Sequence, residues 1–270
     1  MPLENTEASF KLTDRTALLT GPCNSINQAI AMRLTQVGAN VALLDRNIDQ
    51  AARFAGQLMD AREINERYGR AIAIQSDLST PSQIQDAISR VAESFGGIDI
   101  YIDGLMSLDV QPFQSASALE NFDKLIEANL KSPIMITHAV LRFLGARKRG
   151  RVIYLMHDIC RLGMPHNGLV GATRTGLSAF ARTLSREVFE NNVTVNCVAI
   201  GITEEFLLAQ IGAEKISIQE AQQRLTQKFP NAVLTEPEKI ANLILFLASP
   251  LGASITGQTV AASSGLSFMS

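Results

Sequence analysis

Short apolar runs alternate with longer stretches of helical periodicity from one end of the chain to the other. Runs with strand character occupy Thr16–Thr20, Val41–Asp45, Ala71–Ser76, Ile98–Ile102, Arg151–Met156, Val193–Ala199 and Thr259–Ala262. Between them, helical patterns cover Ile26–Val37, Ile48–Arg67, Ser82–Phe95, Ala118–Ala146, Ala172–Asn191 and Pro237–Ala248. Such alternation predicts βαβ units, whose right-handed crossovers place helices on both faces of a parallel sheet. The expected fold is α/β, a single-domain, doubly wound parallel sheet of about seven strands. Two stretches fall outside the pattern. A polar N-terminal tail spans 1–12, and 201–233 is polar and helix-prone over Ile218–Gln227. The second reads either as a lid beyond the carboxyl edge of the sheet or as a surface insertion.

Composition narrows the class without changing the picture. An apolar content of 46% and a charged content of 19% suit one sizeable core. A net charge of -2 with no basic run gives no reason to expect nucleic acid or an anionic membrane surface as partner. The most apolar stretch, Ile240–Ile255, is broken by Pro250 and too short to cross a bilayer. Residues 1–10 are polar, carry Glu4 and Glu7, and lack the basic start and apolar core of a secretory signal, so a cytoplasmic protein is expected. Cys23, Cys160 and Cys197 lie far apart with no metal-ligand spacing and read as reduced thiols; no metal is expected.

Several fragments, in order and spacing, carry a family resemblance. Thr20-Gly21 ends the first strand, Asp45 the second, and Asp77-Leu78 follows the third. Asn129-Leu130 lies inside a long helix, and Val195-Asn196-Cys197-Val198-Ala199 forms the sixth strand. Phe246-Leu247-Ala248-Ser249 and Ile255-Thr256-Gly257-Gln258 complete the set. Over nearly its whole length the chain resembles the short-chain dehydrogenase/reductase family. The resemblance implies a Rossmann-like fold. It also implies a dinucleotide site at Gly21, Ser25, Ile26, Asp45, Asp77 and Leu78, with Asp45 on a ribose hydroxyl favouring NAD over NADP.

At the positions that carry chemistry in that family, this chain departs from the pattern. The second and third glycines of the phosphate turn read Ser25 and Asn27. Glycine there allows close approach of a pyrophosphate, so the cofactor expectation is weakly bound NAD(H) or none. The Asn-Asn-Ala-Gly after the fourth strand reads Asp103-Gly104-Leu105-Met106. The catalytic tyrosine and lysine positions read Val170 and Arg174, and the serine position reads His157; Asn129 alone is retained. Valine has no proton to exchange, and arginine stays charged and seeks anions. Glu205 stands where a threonine usually holds the nicotinamide, and Ser263-Ser264-Gly265 replaces Asp-Gly-Gly.

Three functions are expected on these grounds. The first is a catalytically inactive subunit or scaffold that pairs with an active paralogue, on the analogy of acyl-thioester alcohol dehydrogenases built this way. A homo- or hetero-oligomer, dimer or tetramer, is expected, with contacts through helices 118–146 and 172–191, where Leu177, Phe180, Ala181, Leu184 and Val188 recur at helical spacing. The second is an active NAD(P)-dependent oxidoreductase rewired around His157 and Asn129. The third is a sensor in which Arg174 holds an anion.

Overall fold

The computed structural model describes residues 10–214, 216–228 and 234–267. Seven parallel strands form one sheet: β1 (Thr16–Thr20), β2 (Asn40–Asp45), β3 (Ala71–Gln75), β4 (Ile100–Asp103), β5 (Arg151–His157), β6 (Thr194–Ile200) and β7 (Thr259–Ala262). Their order is β3-β2-β1-β4-β5-β6-β7, so the winding reverses between β1 and β4. The helices are α1 (Ser25–Gln36), α2 (Ile48–Ile64), α3 (Pro81–Phe95), α4 (Phe122–Ile126), α5 (Ser132–Ala146), α6 (Ile159–Leu162), α7 (Gly168–Glu187), α8 (Glu204–Glu214), α9 (Ile218–Lys228) and α10 (Pro237–Ala248).

The two-residue period of the strands sorts side chains between two cores. Ala17, Leu19, Val41, Leu43, Ile153, Leu155 and Val198 face α1, α2 and α10. Leu18, Ala42, Leu44, Val152, Tyr154, Cys197 and Ala199 face α3, α5 and α7. A third, smaller cluster lies over the carboxyl edge, where Phe206 and Leu207 of α8 are buried and Phe206 packs with Val110, Ile159, Ile202 and Leu266.

At the amino edge, Asp99 precedes β4 with a fully buried side chain. It accepts from Thr16 N (3.0 Å), Arg147 Nη1 (3.1 Å) and Arg149 Nε (2.9 Å). One carboxylate thereby joins β1, β4 and the turn between α5 and β5.

The helix expected over 118–146 is broken. Turns occupy the stretch up to Asn121, and between α4 and α5 the chain takes a π-helical turn, Glu127–Lys131, that carries Asn129. Single π turns of this kind open a helix by one residue and recur at functional sites. The helix expected over 172–191 instead runs from Gly168 to Glu187, so Val170 and Arg174 lie inside it rather than at its start. The strand expected to stop at Met156 includes His157. Part of the 201–233 stretch is regular: α9 falls where the helix propensity lies, and α8 adds a helix that the polar pattern does not predict. Residues 1–9, 215, 229–233 and 268–270, belonging to the tail, the lid stretch and the C-terminus, lie outside the described residues. No helix among the described residues is long and apolar enough to cross a membrane.

Candidate functional site

In an open parallel sheet, a crevice forms at the carboxyl ends of the strands where the winding reverses. Here that place is a cavity of about 330 Å³ beyond β1 and β4. Gly21 and Pro22 line one end, Leu44, Asp45, Arg46, Ser76, Leu78 and Ser79 the side, and Leu105, Ser107 and Lys124 the other wall. Gly21 adopts φ +111°, a backbone conformation open to glycine, and a Cβ there would collide with the Gly104 backbone.

Asp45 ends β2 and is 8% exposed. Its Oδ1 accepts from Asn47 N at 2.9 Å, while Oδ2 is buried without a partner. Arg46 turns away to Asp77, with Nη2 at 2.7 Å from Oδ1. Together with the Ser79 hydroxyl and N–H, it holds the Asp77 carboxyl down to about 2. Gly21, Asp45 and Leu78 therefore share the cavity, whereas the Asp77 side chain is engaged by Arg46 and Ser79.

The start of α1 departs from a phosphate cradle in two ways. Asn24 caps the helix by accepting from Asn27 N at 3.0 Å. Asn27 itself is buried, its amide donating to Pro22 O (2.8 Å) and Gly104 O (3.4 Å). A Cβ at Gly104 would run into that amide. The asparagine and the glycine are thus complementary across the helix–strand contact. Ser25, the first residue of α1, donates its hydroxyl to Glu205 Oε1 at 3.3 Å, which brings a carboxylate from α8 to the helix start. Ile26 is buried at 2% exposure and contributes to the core. The side of the cleft at Asp45 fits a nucleoside; the α1 end, already faced by a carboxylate, does not fit a pyrophosphate.

Around the expected reaction centre every side chain is turned inward. Arg174, 2% exposed, places Nη1 at 2.6 Å from Oδ2 of the fully buried Asp103. Burial pushes the Asp103 carboxyl up, opposed by Arg174 and by hydrogen bonds from Leu105 N (3.3 Å) and the Thr20 hydroxyl (3.4 Å). The guanidinium's acidic partner is therefore this chain's own Asp103 and not a ligand's anion. His157, the last residue of β5, is 4% exposed and packs its ring on Phe206 at 5.7 Å. Burial, assisted by the charge of Arg174, lowers it to about 4 against a hydrogen bond with Gly201, so it is neutral near pH 7. Asn129 is fully buried: its Oδ1 accepts from Ser107 N (2.8 Å) and its Nδ2 donates to Ser107 O (2.9 Å). Its amide thus holds the loop after β4. Val170 is 1% exposed.

Among the described residues neither a phenol nor a thiol is placed to act as an acid at the cleft. The chain has three tyrosines. Tyr101 and Tyr154 are fully buried on the α5–α7 face, where the Tyr154 hydroxyl bonds Thr137 at 2.6 Å. Tyr68 sits on the turn before β3, at the amino edge. Cys23, Cys160 and Cys197 are each pushed up to about 11 by burial, so none is a thiolate near neutral pH. Among the described residues no group of three or more His, Cys, Asp or Glu side chains could hold a metal ion.

Asp103, Arg174, Ser25 and Glu205 each stand out singly in the sequence, and nothing local joins them. The one available signal is that an acid at 103 and an arginine at 174 are of opposite charge, on elements that meet in the fold.

A family profile described as enoyl-(acyl carrier protein) reductase matches residues 21–267. A 3-oxoacyl-(acyl-carrier-protein) reductase of Synechocystis sp. is 28% identical over 256 residues, covering 94% of this chain and 98% of that protein. A 3beta-hydroxysteroid dehydrogenase of Eggerthella lenta is 27% identical, covering 94% of each. Among solved structures, a dehydrogenase/reductase from Sinorhizobium meliloti superposes with a TM-score of 0.79 at 26% identity, covering 97% of this chain and 98% of that one.

Proposed function

The chain belongs to the short-chain dehydrogenase/reductase family, matching the profile described as enoyl-(acyl carrier protein) reductase, and on that premise we propose that it is a non-catalytic subunit of an oxidoreductase assembly. A catalytically competent family member would supply the chemistry, and this chain would support or shape it. The observation that supports this reading is that no phenol lines the cleft: Tyr101 and Tyr154 are fully buried on the α5–α7 face and Tyr68 lies at the amino edge, while Val170, which the family resemblance aligns with the tyrosine, is 1% exposed. Reduction of a carbonyl by hydride needs a proton delivered to the oxygen, and a group without an exchangeable proton cannot deliver it.

Two further observations point the same way. Arg174 is engaged with Asp103, its Nη1 2.6 Å from Oδ2 and its side chain 2% exposed, so it does not present its guanidinium to the cleft. His157 is neutral, buried and packed against Phe206 with the two rings tilted by 42°. Assembly would use the outer faces of α5 and α7 rather than the expected apolar stripe, since Leu177, Ala181, Leu184 and Val188 are buried in this chain's own core and only Phe180 of that set is partly exposed.

A second reading, reduction of the 3-ketone of a 3-oxoacyl thioester to the alcohol by this chain itself, is favoured by the relative named a 3-oxoacyl-(acyl-carrier-protein) reductase. The two separate in one experiment. The purified chain is mixed with NADH or NADPH and a 3-oxoacyl thioester, and absorbance at the reduced-nicotinamide band is followed. The subunit reading expects no decay above the protein-free blank. Turnover that scales with protein and vanishes in His157→Ala overturns it and assigns the chemistry to His157. In parallel, native mass spectrometry of the chain co-expressed with an intact family member from the same source is expected to show a mixed oligomer. Detection of separate homo-oligomers alone would refute the pairing.

A further inference from the structure

The two ends of the cleft ask for opposite things. At the Asp45 end, one carboxylate oxygen is satisfied by Asn47 N and the other is buried and unpartnered, on a residue that lines the cavity. An acceptor so placed calls for a hydroxyl donor from a ligand. The walls beside it, Leu44, Leu78 and Leu105, are apolar and suit a flat ring. Arg46 turns one guanidinium nitrogen to Asp77 at 2.7 Å. The lining charges Asp45, Arg46, Lys124 and Glu127 balance in sign.

At the other end, α1 would ordinarily offer its positive terminus to an anion. That role is already filled from within the chain. Glu205 brings its carboxylate to the Ser25 hydroxyl, and Asn24 takes the Asn27 N–H. A pyrophosphate arriving there meets a negative charge and fewer free donors. The cavity, about 330 Å³, is also at the small end of ligand sites.

We infer that the cleft takes an uncharged ribonucleoside, held by its ribose diol on Asp45 Oδ2, and that Glu205 excludes the phosphates of a dinucleotide. Glu205 acts as an internal anion, turning a site for a charged cofactor into one for a neutral fragment. The inference is independent of the subunit reading: nucleoside binding is measured without turnover or partner, and either can fail alone.

Isothermal calorimetry on the full chain tests it, with adenosine, 2′-deoxyadenosine and NADH as the probes. Adenosine is expected to bind with a dissociation constant below about 1 mM and at least as tightly as NADH. Removing the 2′-hydroxyl, or making Asp45→Asn, is expected to weaken binding by about tenfold. Glu205→Gln is expected to tighten NADH about tenfold while leaving adenosine within about twofold, which also serves as the control for folding. Three results would each overturn the inference. One is wild-type NADH affinity about tenfold above that of adenosine. Another is NADH affinity unmoved by Glu205→Gln, and the third is no adenosine binding at about 1 mM.

Discussion

Replacing Asp103 by leucine is expected to be among the most damaging single changes this chain can suffer. Asp103 and Arg174 are both buried, 2.6 Å apart, on elements 71 residues apart in sequence. Removing one member of such a pair strands the other charge in a poorly solvated place, at about 3–5 kcal/mol. The two single variants are not equivalent. In Asp103→Leu the remaining guanidinium cannot lose its proton, and its Nε and Nη2 already lack partners. In Arg174→Met the remaining carboxyl can escape by protonation, since burial has already raised it.

With a urea m-value of about 3 kcal/mol/M, Asp103→Leu lowers the midpoint by about 1–1.7 M. Arg174→Met lowers it less. The sign of its pH dependence comes from linkage. A carboxyl whose folded pKa lies above its unfolded value contributes stability below the unfolded pKa and loses it as pH rises through the folded one. Arg174→Met therefore recovers toward wild type as the pH is lowered from 7, and Asp103→Leu does not. The double variant Asp103→Leu/Arg174→Met returns to within about 1 kcal/mol of wild type, because an apolar pair replaces an ion pair at little net cost. Urea melts of the four proteins at two pH values close the cycle. A loss under about 1 kcal/mol for Asp103→Leu, or strictly additive singles, would refute the reasoning.

Two further predictions rest on other parts of the site. His157 is lowered to about 4 from 6.5, so its contribution is complete above about pH 6.5 and is lost as pH falls toward 4. The span corresponds to about 3 kcal/mol; melts of wild type and His157→Gln should diverge over that window, and parallel curves would count against a buried neutral histidine. Gly104→Ala should destabilise by about 1–3 kcal/mol through overpacking against the Asn27 amide. The same change in an Asn27→Gly background should cost clearly less, and equal losses in both backgrounds would show that the two positions are not complementary.

The sheet is legible in the sequence because burial on both faces leaves continuous apolar runs that side-chain period alone can find. Thr16–Thr20, Thr259–Ala262 and Pro237–Ala248 have the bounds that periodicity predicts. The breaks are not legible. Ala118-Leu119-Glu120 reads as helix by local preference, yet turns continue to Asn121 and a π turn then separates α4 from α5. His157 reads as a polar residue after a strand, and only the pairing of His157 with Ile200 shows that the strand continues through it. The site is legible as a set of positions but not as a set of contacts. Asp103 meets Arg174 and Ser25 meets Glu205 across 71 and 180 residues, distances over which no local pattern carries information.

The Asp99 clamp separates what this fold needs from what its chemistry needs. It ties β1, β4 and the α5–β5 turn at the amino rim, while Thr20 and Asp103 stand four residues further along the same two strands, about 13 Å away. Changes that far apart with no shared partner act nearly independently. Changes at the carboxyl rim, whatever they cost locally, therefore leave the clamp at the opposite rim untouched, so the site can vary without loosening the amino edge of the sheet.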